Sequence, residues 1–363
     1  MRIYIIAGEA SGDLHGANLV KAFHALREDI EWRGWGGDRM AAEGVTLKKH
    51  IRDLAFMGFA EVVMNLKTIL GNLSACKEDI KAFKPNAVIL IDYPGFNLRI
   101  APFVKSLGIQ VHYYISPQIW AWKSNRVHAI KKYTDRVYCI LPFEKDFYAR
   151  YGMDVEFVGH PLLDELKDAP SSEPEGAPTI ALLPGSRKQE ISKMLPVMLA
   201  MADEFPSYTF RIAAAPSIDP SFYRSIIGEK DVDLVQDGTY ALLRSSHAAL
   251  VTSGTATLET ALLGIPEIVC YRGNSISYRI ARQLVKIKYI SLVNLIMDAE
   301  VVKELIQSEL NPTKLKSELS RIVENGPYRD NMKVSFIELK AKLGGPGASE
   351  RAARSMFERI SKS

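Results

Sequence analysis

What most constrains this chain is an alternation that runs along it twice. Short apolar runs rich in β-branched residues, at 3–7, 87–92, 110–115, 136–141 and 155–159, are separated by helix-patterned stretches at 14–27, 61–83, 98–106, 125–133 and 144–151. A strand that is apolar throughout, not at every second position, must be buried on both faces. A parallel sheet with a helix in every crossover meets that need. The pattern stops at 167–178, where three Pro occur with Ser, Glu and Gly, a linker composition. It then restarts with runs at 179–183, 209–214, 233–236, 248–252 and 267–271. From Val301 onward the chain reads as helical, with a Gly-Gly-Pro-Gly break at 344–347 before a last amphipathic helix at 350–360.

The expected organisation is a Rossmann-like domain at 1–167, a linker at 168–178, a second Rossmann-like domain at 179–343 and a terminal helix at 344–363. The expected fold is thus α/β, two parallel-sheet domains facing a central cleft. In open α/β sheets ligands bind beyond the carboxyl ends of the strands, so the residues after each run are the candidates for chemistry. The length of 363 residues suits two such domains. A net charge of +4 gives no dense basic surface, which excludes a nucleic-acid binder of the usual kind. Cys76, Cys139 and Cys270 are far apart with no C-x-x-C pair, which excludes a disulfide scaffold and a familiar structural zinc site. The first apolar stretch is too short for a signal-peptide core, and no window approaches the ~18 uncharged residues of a spanning helix. The expected location is the cytoplasm, or at most the face of a membrane.

In the second half, Thr252-Ser253-Gly254-Thr255 reads as the end of a strand, a tight turn and the start of a helix. Ser253 and Thr255 are suited to cap that helix, and Gly254 lets backbone approach a ligand. Equally, the helix start offers free N–H groups to an anion. Glu259, just over one turn further on, lies on the side of Thr255 and suits two ribose hydroxyls. Leu183-Pro184-Gly185-Ser186-Arg187 ends another strand of the same half with a planar fork of donors, suited to a diphosphate. Alone it is a surface turn; paired with the Ser-Gly-Thr turn it makes a diphosphate clamp.

In the first half, Gly8-Glu9-Ala10-Ser11-Gly12-Asp13 opens a helix with a glycine spacing that is neither the dinucleotide fingerprint nor a P-loop. Glu9, Ser11 and Asp13 are candidates for sugar hydroxyls, or the segment is a plain strand–helix turn. Asp92, in Ile91-Asp92-Tyr93-Pro94-Gly95-Phe96-Asn97, ends a very apolar strand, where a charge is costly unless it is paired or faces a cleft. It is either a general base for an attacking hydroxyl or a helix cap, with Asn97 beside it. Trp120, Trp122 and Lys123 follow a further strand and suit a sugar face, or an acyl chain beside a phosphate; core packing is the alternative. His160, after another run, has a cleft role and a packing role equally open. No G-x-S-x-G, H-E-x-x-H or Walker A motif is present.

Taken in order, these segments resemble the lipid-A-disaccharide synthase family, inverting glycosyltransferases of the GT-B architecture. The resemblance rests on 8–13 with His15-Gly16-Ala17, Met57-Gly58 with Glu61-Val62, 92–97, 116–123, Leu141-Pro142-Phe143-Glu144, 158–161, 183–187, 253–259 and 291–296. Asp38 and Val293 stand where the family often has Pro. The resemblance implies transfer from UDP-2,3-diacylglucosamine to the 6-hydroxyl of 2,3-diacylglucosamine 1-phosphate, giving the β-1,6 disaccharide 1-phosphate and UDP. It implies Asp92 as the catalytic carboxylate, Arg187 on the UDP phosphates, Glu259 and its turn on the nucleotide, and Asn294 near that site. It also implies work at the inner membrane surface, and a last helix that returns to the first domain or exchanges within a homodimer. Phe56, Met57, Phe59, Val63, Leu66 and Ile69, in an apolar stretch at 56–73, are the expected acyl-chain or membrane contact, or ordinary core. No cofactor and no metal are expected: the one Asp-x-Asp, Asp231-Val232-Asp233, sits apart from the other motifs, and Arg187 with a helix dipole would neutralise the leaving diphosphate. Two other readings compete: a GT-B transferase or epimerase acting on a soluble UDP-sugar, and a nucleotide-binding protein without catalysis.

Overall fold

A computed structural model of the chain describes residues 1–54, 66–167, 176–273 and 288–362. These form two compact units, Met1–Asp164 with Gly344–Ser363, and Glu165–Leu343. The first holds a seven-stranded sheet in the order β3-β2-β1-β4-β5-β6-β7. Its strands are β1 (Arg2–Ile6), β2 (Glu31–Gly36), β3 (Thr46–His50), β4 (Ala87–Ile91), β5 (Gln110–Tyr114), β6 (Arg136–Cys139) and β7 (Glu156–Phe157). Every pairing is parallel. Successive side chains of a strand point to opposite faces, and here both faces are covered. Tyr4, Ile6, Val88 and Leu90 pack with Ile80, Ile100 and Val104 from the helices Leu66–Phe83 and Pro94–Ser106. Ile3, Ile5, Ile89 and Ile91 face the other way, onto Leu19, Val20 and Phe23 of the helix Ala10–His24 and onto Ala352, Ala353 and Met356 of the helix Ala348–Ile360. Each such aliphatic side chain, once fully buried, contributes about 1.5–3 kcal/mol.

The second unit holds a six-stranded sheet in the order β10-β9-β8-β11-β12-β13. Its strands are β8 (Thr179–Leu183), β9 (Thr209–Ala213), β10 (Asp233–Val235), β11 (Ser246–Thr252), β12 (Glu267–Tyr271) and β13 (Lys303–Ile306), again all parallel. Two α/β units with doubly covered parallel sheets are the fold the apolar runs called for. Among the described residues no helix is long and apolar enough to cross a membrane.

Three strands lie outside the expected set. β2 carries Glu31, Arg33 and two glycines, so it lacks an apolar signature. Its glycine is the price of closeness: a Cβ on Gly34 would lie 1.8 Å from the carbonyl oxygen of Ile5 on the neighbouring strand. β3 is the polar edge strand beyond it. β13 falls where the sequence reads as helical, and this corrects that reading. It is also an edge strand, paired to β12 alone, and an edge needs little apolar surface. Gly34→Ala is expected to force β1 and β2 apart and lower stability by at least about 2 kcal/mol. Thermal denaturation followed by circular dichroism checks this, and an unchanged midpoint would mean that the two strands have slack.

Candidate functional site

In the first unit, Asp92 follows β4 with φ +38° and Tyr93 follows it with φ +46°, two consecutive residues in the left-handed region. Each such residue costs on the order of 1–3 kcal/mol and persists only where its surroundings hold it. They do. The Asp92 carbonyl accepts from the Tyr113 hydroxyl (2.6 Å) and from Asn97 Nδ2 (2.8 Å), which also donates to the Ile91 carbonyl (3.1 Å). The Asp92 N–H donates to Tyr114 on β5 (3.2 Å). The Tyr93 ring stacks on Phe96 and covers Gly8, where a Cβ would come within 2.3 Å of it.

The turn thrusts the Asp92 side chain to the exposed rim of a crowded surround. Burial of its setting, then the nearby Glu9 carboxylate, push its pKa up to about 6, while the Tyr93 amide favours its charge. The helix that follows, Pro94–Ser106, has Tyr93 at its cap and no side-chain cap, so Asp92 does not serve as one. Asn97 is buried and acts on the backbone of the turn. Glu9 and Ser11 are exposed beside it.

Asp13 does something else. Its carboxylate is buried and accepts from the backbone N–H groups of Gly37 (2.7 Å), Arg39 (3.1 Å) and Met40 (3.1 Å). That fixes the short helix Asp38–Ala42 and turns most of the carboxylate's accepting capacity to the backbone. His160 is buried too. Its Nδ1 accepts from the Leu162 N–H (3.2 Å), and burial lowers its pKa to about 3, so it stays neutral.

Trp120 packs edge-on against Phe143 at 4.8 Å between ring centres, whereas Trp122 is half exposed beneath Lys123 Nζ at 4.2 Å. The loop bearing them is anchored from below. Glu144, wholly buried, accepts from the Ile140 and Leu141 amides (3.2 and 3.0 Å) and lies against Trp120 and Ser116; Ser116 in turn meets the Tyr148 hydroxyl at 2.5 Å. Burial raises Glu144 to about 8, so it is protonated at neutral pH. Phe56, Met57, Phe59 and Val63 lie outside the described residues. Leu66 opens the helix Leu66–Phe83, Ile69 is half-buried on it, and Leu70 is 59% exposed.

In the second unit a cavity of about 400 Å³ opens at the carboxyl ends of β8, β9 and β11. Gly185, Ser186, Arg187 and Glu190 form one wall, Ser253, Gly254, Thr255 and Glu259 another, and 213–216 with Thr239 complete it. The helix Thr255–Leu262 has Gly254 at its cap and no side-chain cap. Ser253 Oγ turns away to the Ile290 carbonyl (3.2 Å), so neither Ser253 nor Thr255 caps, and the first turn of the helix borders the cavity uncapped. Glu259 is held by the Tyr240 hydroxyl (3.1 Å), and burial raises its pKa above the usual carboxylate range. Thr252, at the end of β11, is 5% exposed, and its hydroxyl has no partner among the described residues. It lines the same cavity, and a hydroxyl ending an apolar run was its only signal in the sequence.

Asn294 is not at this wall. It is fully buried, with Nδ2 donating to the Val302 carbonyl and to Glu304 (2.9 and 3.0 Å) and Oδ1 accepting from the Val301 and Val302 amides (2.8 and 3.0 Å). All its hydrogen-bonding capacity goes to joining the helix Leu292–Met297 to β13. Asp233 pairs with Arg211 at 3.2 Å on the exposed edge of the sheet. Among the described residues no cluster of three or more His, Cys, Asp or Glu is placed to hold a metal ion.

The fold is that of GT-B proteins. A UDP-GlcNAc 2-epimerase from Neisseria meningitidis, solved bound to UDP-GlcNAc, superposes with a TM-score of 0.67 at 13% identity, covering 99% of this chain and all of that one. The calicheamicin glycosyltransferase CalG4 gives 0.65 at 16% identity, over 99% and 98%. Sequence narrows the class. A family model described as lipid-A-disaccharide synthetase matches residues 3–356. The lipid-A-disaccharide synthases of Syntrophus aciditrophicus and Myxococcus xanthus are 42% and 40% identical, over 99% and 98% of this chain and 98% and 97% of theirs. The chain belongs to the lipid-A-disaccharide synthase family and is a glycosyltransferase.

Because Asn294 serves the backbone, Asn294→Ala is expected to cost roughly 2–4 kcal/mol of stability, through the stranded Val301 and Val302 amides and a Val302 carbonyl that loses its donor. UDP affinity of the protein that stays folded should change less than about twofold. Chemical denaturation and calorimetric titration separate the two; a large affinity loss at unchanged stability would put Asn294 back at the ligand.

Proposed function

We propose that the chain joins UDP-2,3-diacylglucosamine to 2,3-diacylglucosamine 1-phosphate, forming the β-1,6 disaccharide 1-phosphate and UDP. The observation that carries the reading is Asp92: a carboxylate raised on a clamped, strained turn, with its pKa poised near 6. At neutral pH it is mostly ionised, yet it is basic enough to take a proton as a bond forms. The acceptor 6-hydroxyl attacks the anomeric carbon of the donor, its proton passes to Asp92, and the bond from that carbon to the UDP oxygen breaks with inversion. The departing diphosphate gains charge, which Arg187 and the uncapped start of the helix Thr255–Leu262 are suited to stabilise. Glu259 is suited to the ribose hydroxyls. No metal enters this scheme. Asp13 and Asn294 spend their hydrogen bonds on nearby backbone and drop out of the ligand set.

Acyl chains require an apolar surface, and we place it on the 56–73 stretch with exposed Leu70, at the cytoplasmic face of the inner membrane. Replacing Val63 and Leu66 together by Glu should release the protein from sedimenting vesicles of anionic phospholipid while leaving its melting temperature unchanged. Retained binding would move the contact elsewhere.

The reaction is tested by UDP release with both lipids in detergent micelles. Asp92→Asn should lower turnover about 10²- to 10⁴-fold, the usual worth of a general base. Arg187→Ala should lower it about 10²-fold, equivalent to ~3 kcal/mol of leaving-group stabilisation. The sign of the pH effect follows from the raised carboxylate. Above about pH 6 Asp92 is ionised and the rate is flat; below it the rate falls tenfold per unit as the base is protonated. Glu9→Gln removes a neighbouring charge that raises Asp92, so the acid limb should move to lower pH. Turnover of UDP-N-acetylglucosamine without either lipid would favour the soluble-sugar reading instead.

A further inference from the structure

The diphosphate wall of the cavity already holds an anion from the chain itself. Glu190 Oε1 accepts from Arg187 Nη1 at 3.0 Å, and its Oε2 accepts from the Ser186 N–H at 3.2 Å. The side chain folds back over Gly185, at φ +112°, where a Cβ would lie 2.7 Å from Oε2 and 2.8 Å from the Glu190 Cβ. Glycine at 185 therefore makes room for this particular carboxylate. Arg187, Ser186 and Gly185 are the groups that the proposed reading gives to the nucleotide, and Glu190 lines the same cavity.

We propose that Glu190 is a built-in stand-in for the diphosphate. It occupies the anion-binding groups of the cavity and yields them when nucleotide binds, so that UDP affinity is set by competition with it. The proposal rests on the reading of this cavity as the UDP site. A carboxylate and a diphosphate repel when they share one guanidinium fork, so Glu190 must turn away or weaken the complex. For a transferase the benefit falls on the product: a site that reclaims its own counter-ion lets UDP go. A structural role alone is also available to Glu190, since a Glu at the third position of the helix Lys188–Glu204 reaches back to an amide before it, as in a capping box. Glutamine caps in the same way but carries no charge, and this separates the two roles.

The test is calorimetric titration of the full chain at low salt with UDP and with uridine. Glu190→Gln should bind UDP roughly three- to tenfold more tightly, the scale of one exposed ion pair plus one like-charge contact. Uridine affinity and the ligand-free melting temperature should not change, and the gain should shrink as salt is added. Glu190→Ala, which also loses the cap, should show the same gain in whatever fraction stays folded. UDP binding that is equal or weaker in both variants would overturn the proposal, leaving Glu190 as a cap or as a support for Arg187. A wild-type chain that fails to bind UDP, with both variants equally silent, would remove the nucleotide reading of the cavity and this proposal with it.

Discussion

A parallel sheet can hide both of its faces only if every crossover carries a helix, and that requirement brings the strand ends out along one edge. In each unit of this protein the candidate residues sit on that edge. Asp92 comes off β4 and Trp122 follows β5; Arg187 comes off β8, and Ser253 and Gly254 off β11. The interior of the sheets is mostly aliphatic and aromatic, and the candidate polar groups sit in the turns, with Tyr113 on β5 reaching out to hold one of them. A turn is where backbone geometry is easiest to bend away from the ordinary, which is why Asp92, Tyr93, Ile115 and Gly185 all carry positive φ.

The two proposed halves of the reaction use opposite electrostatic devices. Around Asp92 the protein disfavours charge, by crowding and by the neighbouring Glu9, and so makes the carboxylate a better base. Around Arg187 it favours negative charge, with a guanidinium and the start of a helix, and then moderates that preference with Glu190. One carboxylate is made hungry for a proton; the other keeps a cation from gripping too hard. Neither effect needs more than a few side chains, because the backbone turns set the distances.

Much of this was legible in the sequence for a simple reason. Fully buried parallel strands are apolar from end to end, so the runs at β4 and β8 announce both the sheet and the residues that leave it. Strands that do not obey that rule were invisible: β2, thinned by Gly34 and Gly36, and the edge strands β3 and β13. Among the candidate residues, the turn at Asp92 and the turn at Arg187 stood out as polar groups ending apolar runs. What sequence cannot rank is competition for a polar side chain. Asp13, Asn294 and His160 carry the right chemistry for a ligand, but nearby backbone amides claim them first. Tyr113 was missed, and Glu144, quoted only as part of a family segment, was given no role, for the converse reason. One hides inside an apolar run, and the other sits in a wholly buried pocket that only tertiary structure creates.

The first unit is completed by residues that lie at the far end of the chain. Ala352, Ala353, Met356 and Ile360 belong to the same core as Ile3, Ile5 and Phe23. A ribosome makes the amino-terminal strands first, and the helix Ala10–His24 covers part of this face early, yet the part that Ala352, Ala353 and Met356 cover stays open until the helix Ala348–Ile360 emerges. At 5–20 residues per second, the interval between Asp164 and Gly344 is roughly 10–40 s. During it the second unit, contiguous in sequence, is free to fold to completion, while the first waits with part of one apolar face open to chaperones.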